Sequence, residues 1–297
     1  MEKNISVVGK DPQEKTDLVD KGLIKVESYE RFAEELDTPR IIYLSLPAGE
    51  TIDKVIDELK THLNEGDVIM DGGNSFFRDS LQRYKKLKKE NIDFIDCGTS
   101  GGVTGARNGA CFMIGGEKEA VKKVAPLLKE LSVEGGFNHV GEPGSGHFVK
   151  LVHNGIEFGM LQAIGEGVEL LKNSEFDIED KDMKDIFHNW SNGSVIRSWL
   201  VELMEEGLKS KETPEYGDIE SYIEDTGEVN WLVQEAVKKE VPIPVITQSV
   251  IELFKSRGGQ KEAYRAIALM RHGFGGHPFG KDEYIEEERE KSRIEKI

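Results

Sequence analysis

Three short apolar runs, each ending in a loop of small residues, constrain this chain more than any other feature. Ile41–Leu46 runs into Pro47-Ala48-Gly49, Val68–Met70 into Asp71-Gly72-Gly73-Asn74-Ser75, and Ile92–Cys97 into Gly98-Thr99-Ser100-Gly101-Gly102. Between them, Thr51–His62 and Phe77–Glu90 have the apolar spacing of helices. Strands that alternate with amphipathic helices predict an α/β unit with a parallel sheet. Ile41–Leu46 is nearly all apolar, as a central strand buried on both faces would be. Open α/β sheets bind ligands outside the carboxyl ends of their strands. One glycine-rich loop there is explained by a tight turn, but three in register predict backbone that approaches a ligand.

Upstream, Ile5–Val8 reads as a strand. Asp11 as N-cap, Pro12 at the first helical position and Glu14 at N3 predict a helix start, and Gly22 ends that helix. Ile24–Val26 is a further strand, and Ser28 caps a helix that runs through Leu36 until Pro39 stops it. After Gly144 no strand is evident. Helices are predicted around His147–Lys172, Asp180–Trp190, Ser194–Leu208, Asp218–Ile223, Trp231–Lys239, Ile246–Phe254 and Glu262–Met270, with a charged helix or frayed end over Asp282–Ile297. The chain thus divides into an α/β domain, residues 1–146, and an all-helical domain, residues 147–297.

The stretch from Gly144 to Glu157 joins the two halves. A glycine-rich turn enters a helix on which Lys150, Asn154 and Glu157 fall at i, i+4 and i+7, with His153 bordering the same face. Val149, Val152 and Ile156 form a neighbouring stripe expected to hold the helix in the core. A lysine and a glutamate facing inward cost stability unless they are paired or used. An ion pair under a domain seam and a pair of acid–base groups account for them equally well at this point. Arg271-His272-Gly273-Phe274-Gly275-Gly276-His277 is glycine-rich for a chain end, which suits either a flexible terminus or a functional tail.

Charge narrows the choice of partner. Lysine and arginine total 39 against 56 aspartate and glutamate, a net charge of −17. No basic stripe is available to neutralise phosphates, which argues against nucleic acid and membrane surfaces. Cys97 and Cys111 form no CxxC, as expected in a reducing compartment. No apolar run reaches the length of a membrane span, and Met-Glu-Lys-Asn is no signal-peptide core, so a cytoplasmic protein is expected. No histidine, cysteine or carboxylate spacing suits a metal, and none is predicted.

Taken together, Asp71–Ser75, Gly98–Gly102, Gly144–Glu157, Ser194-Val195-Ile196-Arg197-Ser198 and Phe274–His277 resemble the decarboxylating 6-phosphogluconate dehydrogenase family, in its shorter form and in the family's order. The resemblance implies a Rossmann-like first domain, an all-α second domain and a homodimer or higher homo-oligomer with shared sites. Lys150 would be the general base and Glu157 the acid that protonates C1 of the enediol. Asn74, Ser100, Gly101, Gly102, His153 and Asn154 would hold 6-phosphogluconate. Arg197, with Arg271 and His277 donated by a second subunit, would bind its phosphate. Asp11, Leu46, Pro47, Ala48 and Asn74 would meet the cofactor, and Asp11, standing where an acid would bind the ribose 2′-hydroxyl, favours NAD, with NADP possible.

The sequence departs from the family at several points. Phe158 stands where many members have tyrosine, and Thr226-Gly227-Glu228 replaces a segment that carries a phosphate-binding lysine in long forms. The family opens with a strand, a GxGxxG turn and a helix, whereas Ile5–Val8 of this chain matches the family's second strand. An N-terminally truncated first domain is therefore implied, with a weakened grip on NAD. Two alternatives remain: a related 3-hydroxyacid dehydrogenase of the 3-hydroxyisobutyrate type, and a non-catalytic sugar-phosphate-binding homologue.

Overall fold

A computed structural model describes residues 5–10, 18–257 and 262–291. The chain folds as two compact units. One runs up to Ser100 and resumes over Asn108–Lys150, and the other combines Gly101–Arg107 with the chain from Leu151 onward.

In the first unit, β1 (Val8–Gly9) and β2 (Ile24–Lys25) pair in parallel as a separate two-stranded sheet. Helix α1 (Tyr29–Glu34) follows, its start fixed by the Ser28 hydroxyl, which accepts the Arg31 N–H at 3.3 Å. The main sheet has the order β3 (Ile41–Leu44), β4 (Val68–Asp71), β5 (Asp93–Ser100), β6 (Ala110–Gly116), β7 (Ser132–Gly141). Helices α2 (Glu50–Leu59), α3 (Phe77–Lys88) and α5 (Lys118–Leu131) connect its strands, while α4 (Gly102–Asn108), between β5 and β6 in sequence, belongs almost wholly to the second unit. One core cluster packs Ile52, Ile56 and Leu59 of α2 with Ile42, Ile69 and Phe94 of the sheet. The other sets Val121, Val124 and Leu128 of α5 against Val68, Ile95 and Ile114.

Several expectations change here. Asp11, Pro12 and Glu14, with the helix start they predict, lie outside the described residues. Ile41–Leu44 is the outermost strand of its sheet rather than a central one. Among the described residues β3 pairs with β4 alone, and its burial alternates, with Tyr43 41 % exposed. β6 and β7 were not foreseen, and β6 runs antiparallel to β5, with Ser100 opposite Cys111 and Ile95 opposite Gly116. The sheet is therefore mixed. The glycines and the polar residues of 110–116 and 132–141 dilute the apolar signal of both strands.

The second unit is helical. It holds most of α6 (Ser145–Lys172), α7 (Asp180–Ser191), α8 (Trp199–Lys209), α9 (Glu228–Lys238), α10 (Pro244–Ser256), α11 (Glu262–Gly275) and α12 (Glu283–Lys291). Its core joins Leu161 and Val168 of α6 to Phe187, Met204, Tyr264, Ile267 and Met270. The expected helix over Asp218–Ile223 is instead a single 3₁₀ turn, Tyr216–Asp218, followed by chain with neither helix nor strand. The expected stripe on α6 is also displaced: Val149 and Ile156 are exposed, and Leu151, Leu161 and Val168 face the core in their place. No helix among the described residues is long and apolar enough to cross a membrane.

Candidate active site

At the carboxyl ends of β3 and β4, two loops meet through their backbones. The Gly72 N–H donates to the Leu44 carbonyl at 2.9 Å, and the Gly73 N–H donates to Asp71 Oδ1 at 3.0 Å. A Cβ on Gly73 would lie 2.8 Å from the Leu46 carbonyl oxygen, so no side chain fits between the loops. Arg83 of α3, only 2 % exposed, ties them to one cation. Its Nη1 donates to Asp71 Oδ2 at 2.8 Å and Ser75 Oγ at 3.3 Å. Its Nη2 donates to the Gly49 carbonyl at 3.0 Å, and its Nε to Asp53 Oδ1 at 2.8 Å. Leu46, Pro47, Ala48 and Asn74 all lie on these two loops. Small residues held rigid by a planar guanidinium at the carboxyl ends of parallel strands stand where open α/β sheets take their ligands.

Lys150 lies on the second turn of α6, still within the first unit. Its Cβ rests against Gly98 of β5, where an added Cβ would come within 2.6 Å of it. Asn154 and Glu157 continue along the same helix, within the second unit. Asn154 is buried. His153 Nδ1 stands 3.3 Å from Asn154 Oδ1 and 3.9 Å from Glu157 Oε2. Ser100 closes β5, and Gly101 and Gly102 follow with φ of +123° and +56°, a left-handed backbone suited to glycine. Gly102 abuts the Phe274 carbonyl so closely that no Cβ could stand between them. The Gly101-Gly102 turn and the Phe274–His277 segment are thereby in contact within the helical unit.

The expected tail is not a free end. Arg271 lies on α11 and is buried, and its Nη1 donates to the Glu224 carbonyl. Burial holds its guanidinium below the ordinary arginine value, while the charges of Asp225, Glu157 and Glu228 oppose that shift. The Phe158 ring lies 5.8 Å from its charge. Arg197 is exposed in the loop before α8, not on a helix as expected, and its Nη1 donates to the Ser194 carbonyl at 2.9 Å. Arg83 was absent from the sequence-based site because it sits among lysines on a charged helix.

His277 packs edge-on against Phe274 at 5.7 Å between ring centres. Burial, reinforced by the charges of Arg271 and His272, pushes its imidazole down to about 3. The unfolded side chain titrates near ~6.5, so between these values the unfolded chain takes up a proton that the folded chain refuses. Stability from this group is therefore complete above that unfolded value and declines as pH falls towards 3. Urea midpoints at pH 7, 5.5 and 4 should fall less steeply for His277→Gln than for the parent chain. Parallel curves would remove the assignment.

The fold and these residues can be set against known proteins. Residues 1–141 match the family model of the NAD-binding domain of 6-phosphogluconate dehydrogenase, and residues 146–290 match that of its C-terminal domain. The NAD(+)-dependent, decarboxylating 6-phosphogluconate dehydrogenase of Haloferax volcanii is 39 % identical over 259 residues, 87 % of this chain and 84 % of the relative. Among solved structures, the 6-phosphogluconate dehydrogenase of Plasmodium falciparum, studied with NADP+ and with 6-phosphogluconate, superposes with a TM-score of 0.78 at 27 % identity. That likeness covers 86 % of this chain and 58 % of the other. A 3-hydroxyisobutyrate dehydrogenase from Mycobacterium tuberculosis follows at 0.69 and 18 % identity, over 91 % of this chain and 92 % of the other, a likeness of fold alone. With both halves matched in order and at this identity, the chain belongs to the 6-phosphogluconate dehydrogenase family.

Proposed function

We propose that this chain oxidises and decarboxylates 6-phosphogluconate to ribulose 5-phosphate and carbon dioxide, with a nicotinamide dinucleotide as oxidant. The observation that carries the reading is family membership over both halves, together with Lys150, Asn154 and Glu157 in sequence on one helix. In this reading Leu46, Pro47, Ala48 and Asn74 hold the nicotinamide end. The bound dinucleotide supplies a hydride acceptor. NAD is the form proposed, because the Haloferax relative is named NAD(+)-dependent, although the Plasmodium enzyme was studied with NADP+.

Lys150, as general base, takes the proton of the C3 hydroxyl as hydride leaves C3. The product is a 3-keto acid, whose carbonyl accepts the electrons of the C1–C2 bond as carbon dioxide departs. The Lys150 ammonium then donates to the developing C3 oxyanion, where a preorganised cation is most effective. Glu157 delivers a proton to C1 of the enediol. Asn74, Ser100, Gly101, Gly102, His153 and Asn154 orient the sugar acid. Arg197, Arg271 and His277 receive its phosphate, for which guanidinium groups are suited by their paired N–H donors.

Incubation with 6-phosphogluconate and NAD, followed by carbon dioxide release and NADH absorbance, tests this reading. Turnover of 3-hydroxyisobutyrate equal to or better than that of 6-phosphogluconate would overturn it. A cytoplasmic homodimer completes the reading. Exposed apolar side chains on the helical unit, Ile156 and Met160 of α6 and Val245 of α10, support a second copy. A monomer by sedimentation at micromolar concentration would exclude it.

A further inference from the structure

Helix α6 carries Lys150, yet its own sequence begins Ser145-Gly146-His147, with no acidic residue in the first turn. Its cap comes from the sheet. Asp96, in the middle of β5 and fully buried, accepts the Gly144 N–H at Oδ1 (2.7 Å) and the His147 N–H at Oδ2 (2.9 Å). A buried carboxylate is tolerated there because both oxygens are satisfied and the helix N-terminus is positive. Steric contacts fix the same turn. Gly146 is pressed so tightly between Asp96 of β5 and Gly115 and Met113 of β6 that an added Cβ would fall 2.6 Å from the Gly115 nitrogen and the Met113 oxygen. Gly98, two residues along β5 from Asp96, leaves the space that the Lys150 Cβ requires. The His147 ring is held as well, its Nδ1 2.7 Å from the Ser80 hydroxyl of α3.

We infer that Asp96 is a positioning residue for Lys150. It sets the axial and rotational register of the first turn of α6 on the sheet, and hence where the lysine amine stands. This deepens the proposed function and rests on it for the role of Lys150. The alternative is that Asp96 merely stabilises the sheet unit. A proton transfer in the rate-determining complex is far more sensitive to a small displacement of the base than binding is, so the two alternatives separate in kinetics.

The test uses the full-length chain. Asp96→Asn keeps the shape of the side chain but turns an amide donor towards a backbone donor. Gly98→Ala keeps the carboxylate and displaces Lys150 directly, which serves if the first variant does not fold. Expected for each soluble variant is a kcat lowered 30-fold or more, with the dissociation constant for 6-phosphogluconate within threefold of the parent by calorimetry. Hydrogen exchange of Asp96→Asn should quicken at the amides of residues 147–151 while the rest of the sheet unit keeps its protection. An unchanged kcat, or losses of kcat and of substrate binding in equal proportion, would overturn the inference. If the parent chain itself turns over no 6-phosphogluconate, the proposed function fails. The exchange result still decides the anchoring in that case, since unchanged protection at 147–151 would refute it without any assay of activity.

Discussion

Replacing Lys150 by methionine is expected to lower kcat for 6-phosphogluconate by three orders of magnitude or more. A positioned acid–base group typically contributes 10²–10⁴-fold, and Lys150 is assigned two such duties, proton removal at oxidation and donation at decarboxylation. Methionine retains the length and apolar stem of the side chain, so the packing of its Cβ on Gly98 should persist. Calorimetric affinity for 6-phosphogluconate should change by less than tenfold, because the phosphate end is held elsewhere. A variant that keeps more than a tenth of the parental kcat would move the general base to another residue.

The second large effect concerns stability rather than rate. Arg83→Met removes the cation between Asp71, which is fully buried, and Asp53, which is half-exposed. Breaking a buried ion pair from one side costs about 3–5 kcal/mol, because the remaining charge is left without compensation. For a unit of this size that corresponds to a fall of roughly 10 °C in the melting midpoint. Asp71→Asn in the same chain should restore part of the loss, since it removes the stranded charge while keeping an acceptor for the Gly73 N–H. Thermal melts of the single and double variants check both points. A single variant within about 1 kcal/mol of the parent would mean that water reaches Asp71 and replaces the guanidinium.

The difference between these two residues explains how much of the protein could be read from its sequence. Lys150 announces itself, because a lysine, an asparagine and a glutamate share the face of a helix entered through a glycine-rich turn and bordered by an apolar stripe. The loops at Leu46–Gly49 and Asp71–Ser75 were legible for a similar reason, as their small residues follow strand-like runs directly. Arg83 looks like any surface cation of a helix that also carries Lys85, Lys86 and Lys88. Its role exists only once α3 has packed on the sheet and brought it to Asp71, which no local pattern encodes. The same holds for β6. Its Gly115 and Gly116 weaken the strand signal, yet glycine is required there because Gly146 on one side and Ile95 on the other leave no room for a Cβ. Ile41–Leu44 misled in the opposite sense: an apolar run reads as a central strand, and only pairing could place it at an edge. The α6 stripe at Val149 and Ile156 has the right helical period, but periodicity cannot say which of two apolar faces a core will claim.

The borrowed cap on α6 has a consequence for how the protein can be taken apart. Each unit has its own hydrophobic core, so the chain looks divisible into two modules. A cut between Lys150 and Leu151, where the units part, would sever a 28-residue helix after its sixth residue. A cut before Ser145 would keep the helix whole and the lysine with it, but would separate its first turn from the carboxylate on β5 that receives its N–H groups. Helix ends without acceptor partners fray over about a turn, and in this chain the lysine stands just beyond that turn. Either cut also leaves Gly101–Arg107, which belong to the helical unit, on the other fragment. The two halves are inherited, exchanged or engineered together, or the base is lost at the joint.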